Sequence, residues 1–185
     1  MKKHILWAAG VAGLSAMAAP SPVLAFDVSI EHSVCPLETI GETELDAWGA
    51  ALAKTNGEMS DSQLDSLSAA IATCSQQHSW SEDDTKSVLE FNISIIAATA
   101  IADKLTLSGV DAEAYETVLD DASQDDLLQV LNDSENSAVI KKLTDKMIAE
   151  LGDGLTDQIA GDLGSYIAFM AQAQYSSIKM LGLSN

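Results

Sequence analysis

The chain has 185 residues, with 28 acidic side chains, nine lysines and no arginine, and a formal charge of −19. An apolar content of 47% supplies material for a core and excludes a disordered acidic tail. The acid excess excludes nucleic acid and anionic bilayers as primary partners, since both reward clustered Lys and Arg.

The first segment reads as an export signal. Met1 to His4 is a short basic stretch, and Ile5 to Ala19 is an apolar run shorter than the ~20 residues a bilayer-spanning helix needs. Pro20 and Pro22 break any helix, and Val23-Leu24-Ala25 presents small residues to a signal peptidase. Cleavage is expected after Ala25, with Ala18 as a second candidate. No cysteine follows the site, so lipid attachment is not expected. This leader is of the Gram-negative type and places the protein in the periplasm or outside the cell. Residues 26–185 then form one helical domain, with no internal repeat and no domain boundary. Its 28 acids against seven lysines give a charge of −21. No later segment has the length and apolar continuity for stable membrane insertion.

One proline (Pro36) in 160 residues, abundant Ala and Leu, and no sustained apolar-polar alternation predict an all-α fold. Leu45, Trp48 and Leu52 mark a short helix that Gly57 can stop. Ser60-x-x-Gln63 is a capping box, and Leu64, Leu67, Ile71 and Cys74 follow on one helix face. Ser81-x-x-Asp84 opens the next helix, over about 82–107, whose apolar residues from Val88 to Leu105 leave little of its circumference polar. Such a helix is surrounded by others, so it is taken as the centre of the core.

Beyond Ser108-Gly109, Asp111 is expected to cap a short helix carrying Tyr115, Val118 and Leu119. Ser123-x-x-Asp126 starts another with Leu127, Leu128, Val130 and Leu131. A polar turn over 132–136 precedes a helix marked by Val139, Ile140, Leu143, Met147, Ile148 and Leu151. Gly152-Asp153-Gly154 closes that helix. Leu155, Ile159, Leu163, Ile167, Met170, Ile178 and Leu181 form a stripe along a long last helix. In it, Gly161 and Gly164 permit either close helix approach or a break. The expected architecture is a single irregular bundle of six to seven helices around residues 82–107.

Cys35 and Cys74 are the only cysteines. In an oxidising compartment they are expected to form a disulfide, closing a loop of about forty residues and stabilising by roughly 4 kcal/mol. The alternative is a tetrahedral metal site using His32, Cys35, Cys74 and His78, which needs both thiolates free. No Cys-x-x-Cys exists for redox catalysis. His78 is expected to close the C-terminal end of its helix, where a cation meets the negative dipole end, and Trp80 to act as a staple before the Ser81 cap.

Ser176-x-x-Lys179 matches the minimal nucleophile pattern of penicillin-recognising enzymes, but the Lys-Thr-Gly strand they require is missing. Other nucleophile, zinc-protease, nucleotide and haem motifs are likewise missing, so an enzyme is not expected and no cofactor is implied. Counting back five residues from each glycine of residues 26–185 never reaches an Asp, which excludes EF-hand loops. The densest acidic stretch, with Asp120, Asp121, Asp125, Asp126, Asp133 and Glu135, is the candidate surface for a cation or partner.

Lys141, Lys142 and Lys146 read as a docking patch or as a solvated face with i, i+4 pairs to Asp145 and Glu150. The Asn92-Ile-Ser94 and Asn132-Asp-Ser134 sequons carry no weight in a bacterial export context. The sequence thus predicts an exported, non-catalytic helical protein that binds an unknown protein or small apolar ligand, with homo-oligomerisation left open. The alternatives are the metal site above and an acid-responsive periplasmic chaperone, since most carboxylates become neutral near pH 3–4.

Overall fold

Three serines begin helices by the same local exchange of hydrogen bonds. In the computed structural model, which describes residues 30–55 and 57–181, Ser60 Oγ accepts from the Gln63 backbone N–H while Gln63 Oε1 accepts from the Ser60 N–H. Ser81 with Asp84, and Ser123 with Asp126, close the same reciprocal box, so the shorter Asp side chain serves as well as Gln. The export signal predicted over 1–25, with its cleavage site, lies outside the described residues.

Eight α-helices follow in chain order: α1 (Ile30–Ser33), α2 (Cys35–Ile40), α3 (Glu42–Leu52), α4 (Asp61–His78), α5 (Glu82–Leu107), α6 (Gln124–Asn132), α7 (Ala138–Leu151) and α8 (Asp157–Met180). Short 3-10 turns lie at Glu113–Val118, Ser134–Asn136 and Gly152–Gly154. No strand occurs among the described residues.

The frame is the antiparallel pair α5 and α8, whose direction is fixed by Lys104 against Asp162 at one end and Lys179 against Glu90 toward the other. Burial on α5 spans the contiguous residues Ile96 to Ala98 and Ala100-Ile101, more than one stripe, because helices pack on several sides of it. Two apolar clusters share the pair. One gathers Ile101, Leu105, Tyr115, Leu127, Leu143 and Leu163 from α5, the 3-10 segment Glu113–Val118, α6, α7 and α8. The other gathers Trp48, Leu67, Cys74, Val88, Phe91 and Met180 from α3, α4, α5 and α8.

Gly57 sits where the α3–α4 connection presses on this frame. Its φ is +86°, and a Cβ there would lie 3.0 Å from Phe169 Cε2 and 3.2 Å from Ala97 Cβ. Glycine is required at this position both by backbone angle and by space.

The structure differs from the sequence reading in four places. The helix expected after Asp111 is a 3-10 helix over Glu113–Val118, where Tyr115 N–H and Leu119 N–H bond carbonyls three residues back and Asp111 Oδ1 accepts from Glu113 N–H at its start. Gly161 and Gly164 neither break α8 nor seat a neighbour, since a Cβ at either would meet nothing within 4 Å. The apolar stripe of α8 ends at buried Met180, whereas Leu181 is past the helix and exposed. Trp80 has no apolar residue to staple one turn into α5, where Thr85 bonds Ser81 O and Ser75 Oγ instead. Two further caps, Ser137 to α7 and Thr156 to α8, lack an acid three residues on and escaped the sequence search.

Candidate functional site

The four residues singled out by sequence, His32, Cys35, Cys74 and His78, come together where α1 and α2 meet the C-terminal half of α4. Cys35 opens α2, with Pro36 in its first turn fixing φ for helix entry. Cys74 lies on the buried face of α4 with Leu67 and Ile71. The two sulfurs form a disulfide, with an S–S distance of 2.02 Å. Thr39 Oγ1 lies 3.6 Å from Cys74 Sγ.

One turn beyond Cys74, His78 ends α4 and is followed by Ser79 in the left-handed conformation. That turn brings Trp80 back onto His78, with ring centroids 5.6 Å apart, and His32 stacks on His78 at 4.2 Å. The metal reading needs two thiolates, which bonded sulfurs do not supply. Among the described residues no group of three or more His, Cys, Asp or Glu is placed to hold a metal ion.

Asn92, in the middle of α5, secures the same arm from beneath. It is fully buried, and its Nδ2 donates to Ser33 O at 2.9 Å and Val88 O at 2.8 Å. Two carbonyl acceptors set the amide orientation, since the reverse would place oxygen against oxygen. Among the described residues, Oδ1 of Asn92 and Nε1 of Trp80 meet no hydrogen-bond partner.

The described residues line two surface depressions of note. An open groove of about 540 Å³ between α3 and α4 is lined by Ala47, Trp48, Ala51, Met59, Ser60 and Gln63. A second, of about 340 Å³, is polar and includes Lys104, Asp157, Asp162 and Ser165. Lys104 Nζ bonds Asp162 Oδ1 at 2.8 Å within it.

A constellation missed by the sequence reading lies at the other end of the bundle. Tyr166 of α8, buried, donates its hydroxyl to Glu116 Oε1 of the 3-10 segment Glu113–Val118. Burial raises the Glu116 carboxyl above its usual range. Tyr166 donation opposes that rise, and the charges of Glu113, Asp120 and Asp111 add to it. The Tyr166 hydroxyl is pushed strongly upward, first by burial and then by Glu116. On the same segment Tyr115 packs beneath Lys146 of α7 and is raised by burial and by its hydrogen bond to Glu150.

The acidic stretch proposed as a surface is spread along the segment before α6, α6 itself and the turn after it. Asp120, Asp121, Asp125, Asp133 and Glu135 are exposed. Asp126 is the capping partner of Ser123, which holds its carboxyl below the usual range. Asp133 accepts from Asn136 Nδ2. Lys141 pairs with Asp145 and Lys146 with Glu150, each at 2.9 Å on one turn of α7. Ser176 is buried and accepts from Gln172 Nε2, while Lys179 one turn on lies against Glu90 of α5 and over the Tyr175 ring, so both members of the Ser176-x-x-Lys179 match are engaged elsewhere. No helix among the described residues is long and apolar enough to cross a membrane.

Compared with known proteins, the chain matches no family model, no curated protein and no solved structure.

Proposed function

We propose that the chain is an exported, periplasmic or secreted, non-catalytic helical protein that binds a protein or a small apolar ligand. The observation that carries the reading is the Cys35–Cys74 disulfide, which pins α2 to α4 and suits a compartment where thiols oxidise. The basic, apolar and small-residue order of residues 1–25 supports the same compartment. For binding, the support is the open groove beside Trp48 and Met59, edged by the Ser60–Gln63 capping box.

Intact-mass analysis of protein recovered from an exporting host tests the compartment. The expected species begins at Phe26 and is lighter by two hydrogens than its reduced form. A full-length, reduced chain retained in the cytoplasm refutes the export reading. Quenching of tryptophan fluorescence by an apolar probe such as an anilinonaphthalene sulfonate tests the groove. Equal quenching in wild type and a Met59→Glu variant refutes the groove as its site.

A further inference from the structure

We propose that Glu116 is an acid-operated clasp, whose protonation tightens the 3-10 segment Glu113–Val118 onto α8 and α7 and whose ionisation loosens it. The inference does not depend on what the α3–α4 groove binds.

The geometry has three parts. Glu116 is half-buried and meets α8 through one hydrogen bond, from the hydroxyl of buried Tyr166. Its segment also inserts Tyr115 and Val118 into the cluster shared by α5, α6, α7 and α8. Thus a single carboxylate sits at the rim of a docking contact between a six-residue turn and two long helices.

The charges around it are arranged against its ionised form. On its own segment and the flanking residues, Asp111, Glu113 and Asp120 act on it, and all three are carboxylates. On α8 the group facing it is the neutral phenol of Tyr166, with Asp162 one turn earlier engaged by Lys104 of α5. On α7 the nearby ions are Lys146 and Glu150, paired with each other at Tyr115.

A neutral carboxyl keeps the bond to Tyr166, because it offers both an acceptor and a donor, and it sheds the burial cost and the repulsion from three acids. The sign follows from linkage. Glu116 has a raised carboxyl in the folded chain, so the folded chain holds its proton more firmly than the unfolded one. The stability tied to that proton is present in full below the ordinary glutamate range and is lost as pH rises through the raised value.

The test uses wild-type chain, Glu116→Gln and Tyr166→Phe. Amide exchange of residues 113–119, corrected for intrinsic chemistry, is followed from about pH 4 to about pH 7.5. In wild type the opening constant should rise severalfold across that range. Glu116→Gln, a permanent neutral mimic, should show no such rise and should melt above wild type near neutrality but with it near about pH 4. Tyr166→Phe should keep the rise but move its midpoint to higher pH, because the phenol's donation favours the charged carboxylate. A midpoint displacement is something a merely structural tyrosine would not give. Opening that is independent of pH in wild type, or that rises equally in Glu116→Gln, overturns the proposal.

Discussion

Replacing both Cys35 and Cys74 with alanine should lower unfolding free energy by about 4–5 kcal/mol, and almost all of that loss should act through the unfolded chain. The bonded pair is separated by 39 residues. In the chain-entropy relation a loop of that size restrains the denatured ensemble by about 4 kcal/mol at room temperature. The native state loses little more, roughly 0.5–1 kcal/mol of sulfur packing at fully buried Cys74. The arm stays docked without the bond, because Asn92 still donates to Ser33 O, Pro36 is still buried, and His32 still stacks on His78. At about 2–4 °C per kcal/mol for a chain of this size, the midpoint should fall by about 8–20 °C. Urea unfolding read by fluorescence of buried Trp48 and Trp80 measures both quantities. A loss under about 1 kcal/mol would refute the loop argument. So would exposure of residues 30–40 alone with the rest unchanged, because the bond would then be acting as a local staple.

Three other substitutions test the frame. Leu163→Ala removes a fully buried side chain at the α5–α8 contact and should cost about 3–5 kcal/mol in denaturant unfolding. Gly57→Ala should destabilise by more than about 1 kcal/mol, through positive φ and collision with Phe169, whereas Gly161→Ala, open to solvent, should be neutral or slightly stabilising by calorimetry. Lys104→Met leaves buried Asp162 without its 2.8 Å partner and should cost about 2–3 kcal/mol, most of it restored when Asp162→Leu is added.

What the sequence reveals divides by range. Helix starts at Ser60, Ser81 and Ser123 are legible because a cap and its partner are three residues apart, and the bounds of α5 follow from Ser81 and the apolar run after it. Tyr115, Val118 and Leu119 have a spacing that fits either an α or a 3-10 turn, so the sequence does not separate the two. The polar contacts across the bundle are not legible. Asn92 reaches Ser33 over 59 residues, Lys104 reaches Asp162 over 58, and Tyr166 reaches Glu116 over 50. Nothing local distinguishes Asn92 from any other polar residue on an apolar helix, or Glu116 from its many acidic neighbours. The His32, Cys35, Cys74 and His78 grouping was visible because cysteine pairing restricts which distant residues can meet, though the stacking of the imidazoles was not.

The division of the core along α5 and α8 has a consequence for the order in which the chain is made. Synthesis delivers the N-terminal residues first, at roughly 5–20 residues per second, so α1 to α5 emerge before α8 exists. Yet the apolar cluster of that first half contains Ala173 and Met180, from the last turns of α8. It therefore stays incomplete until almost the whole chain has been made. Cys35 and Cys74 both precede α8 in the chain, so in a compartment where thiols oxidise their bond can hold α2 against α4 before the final helix packs.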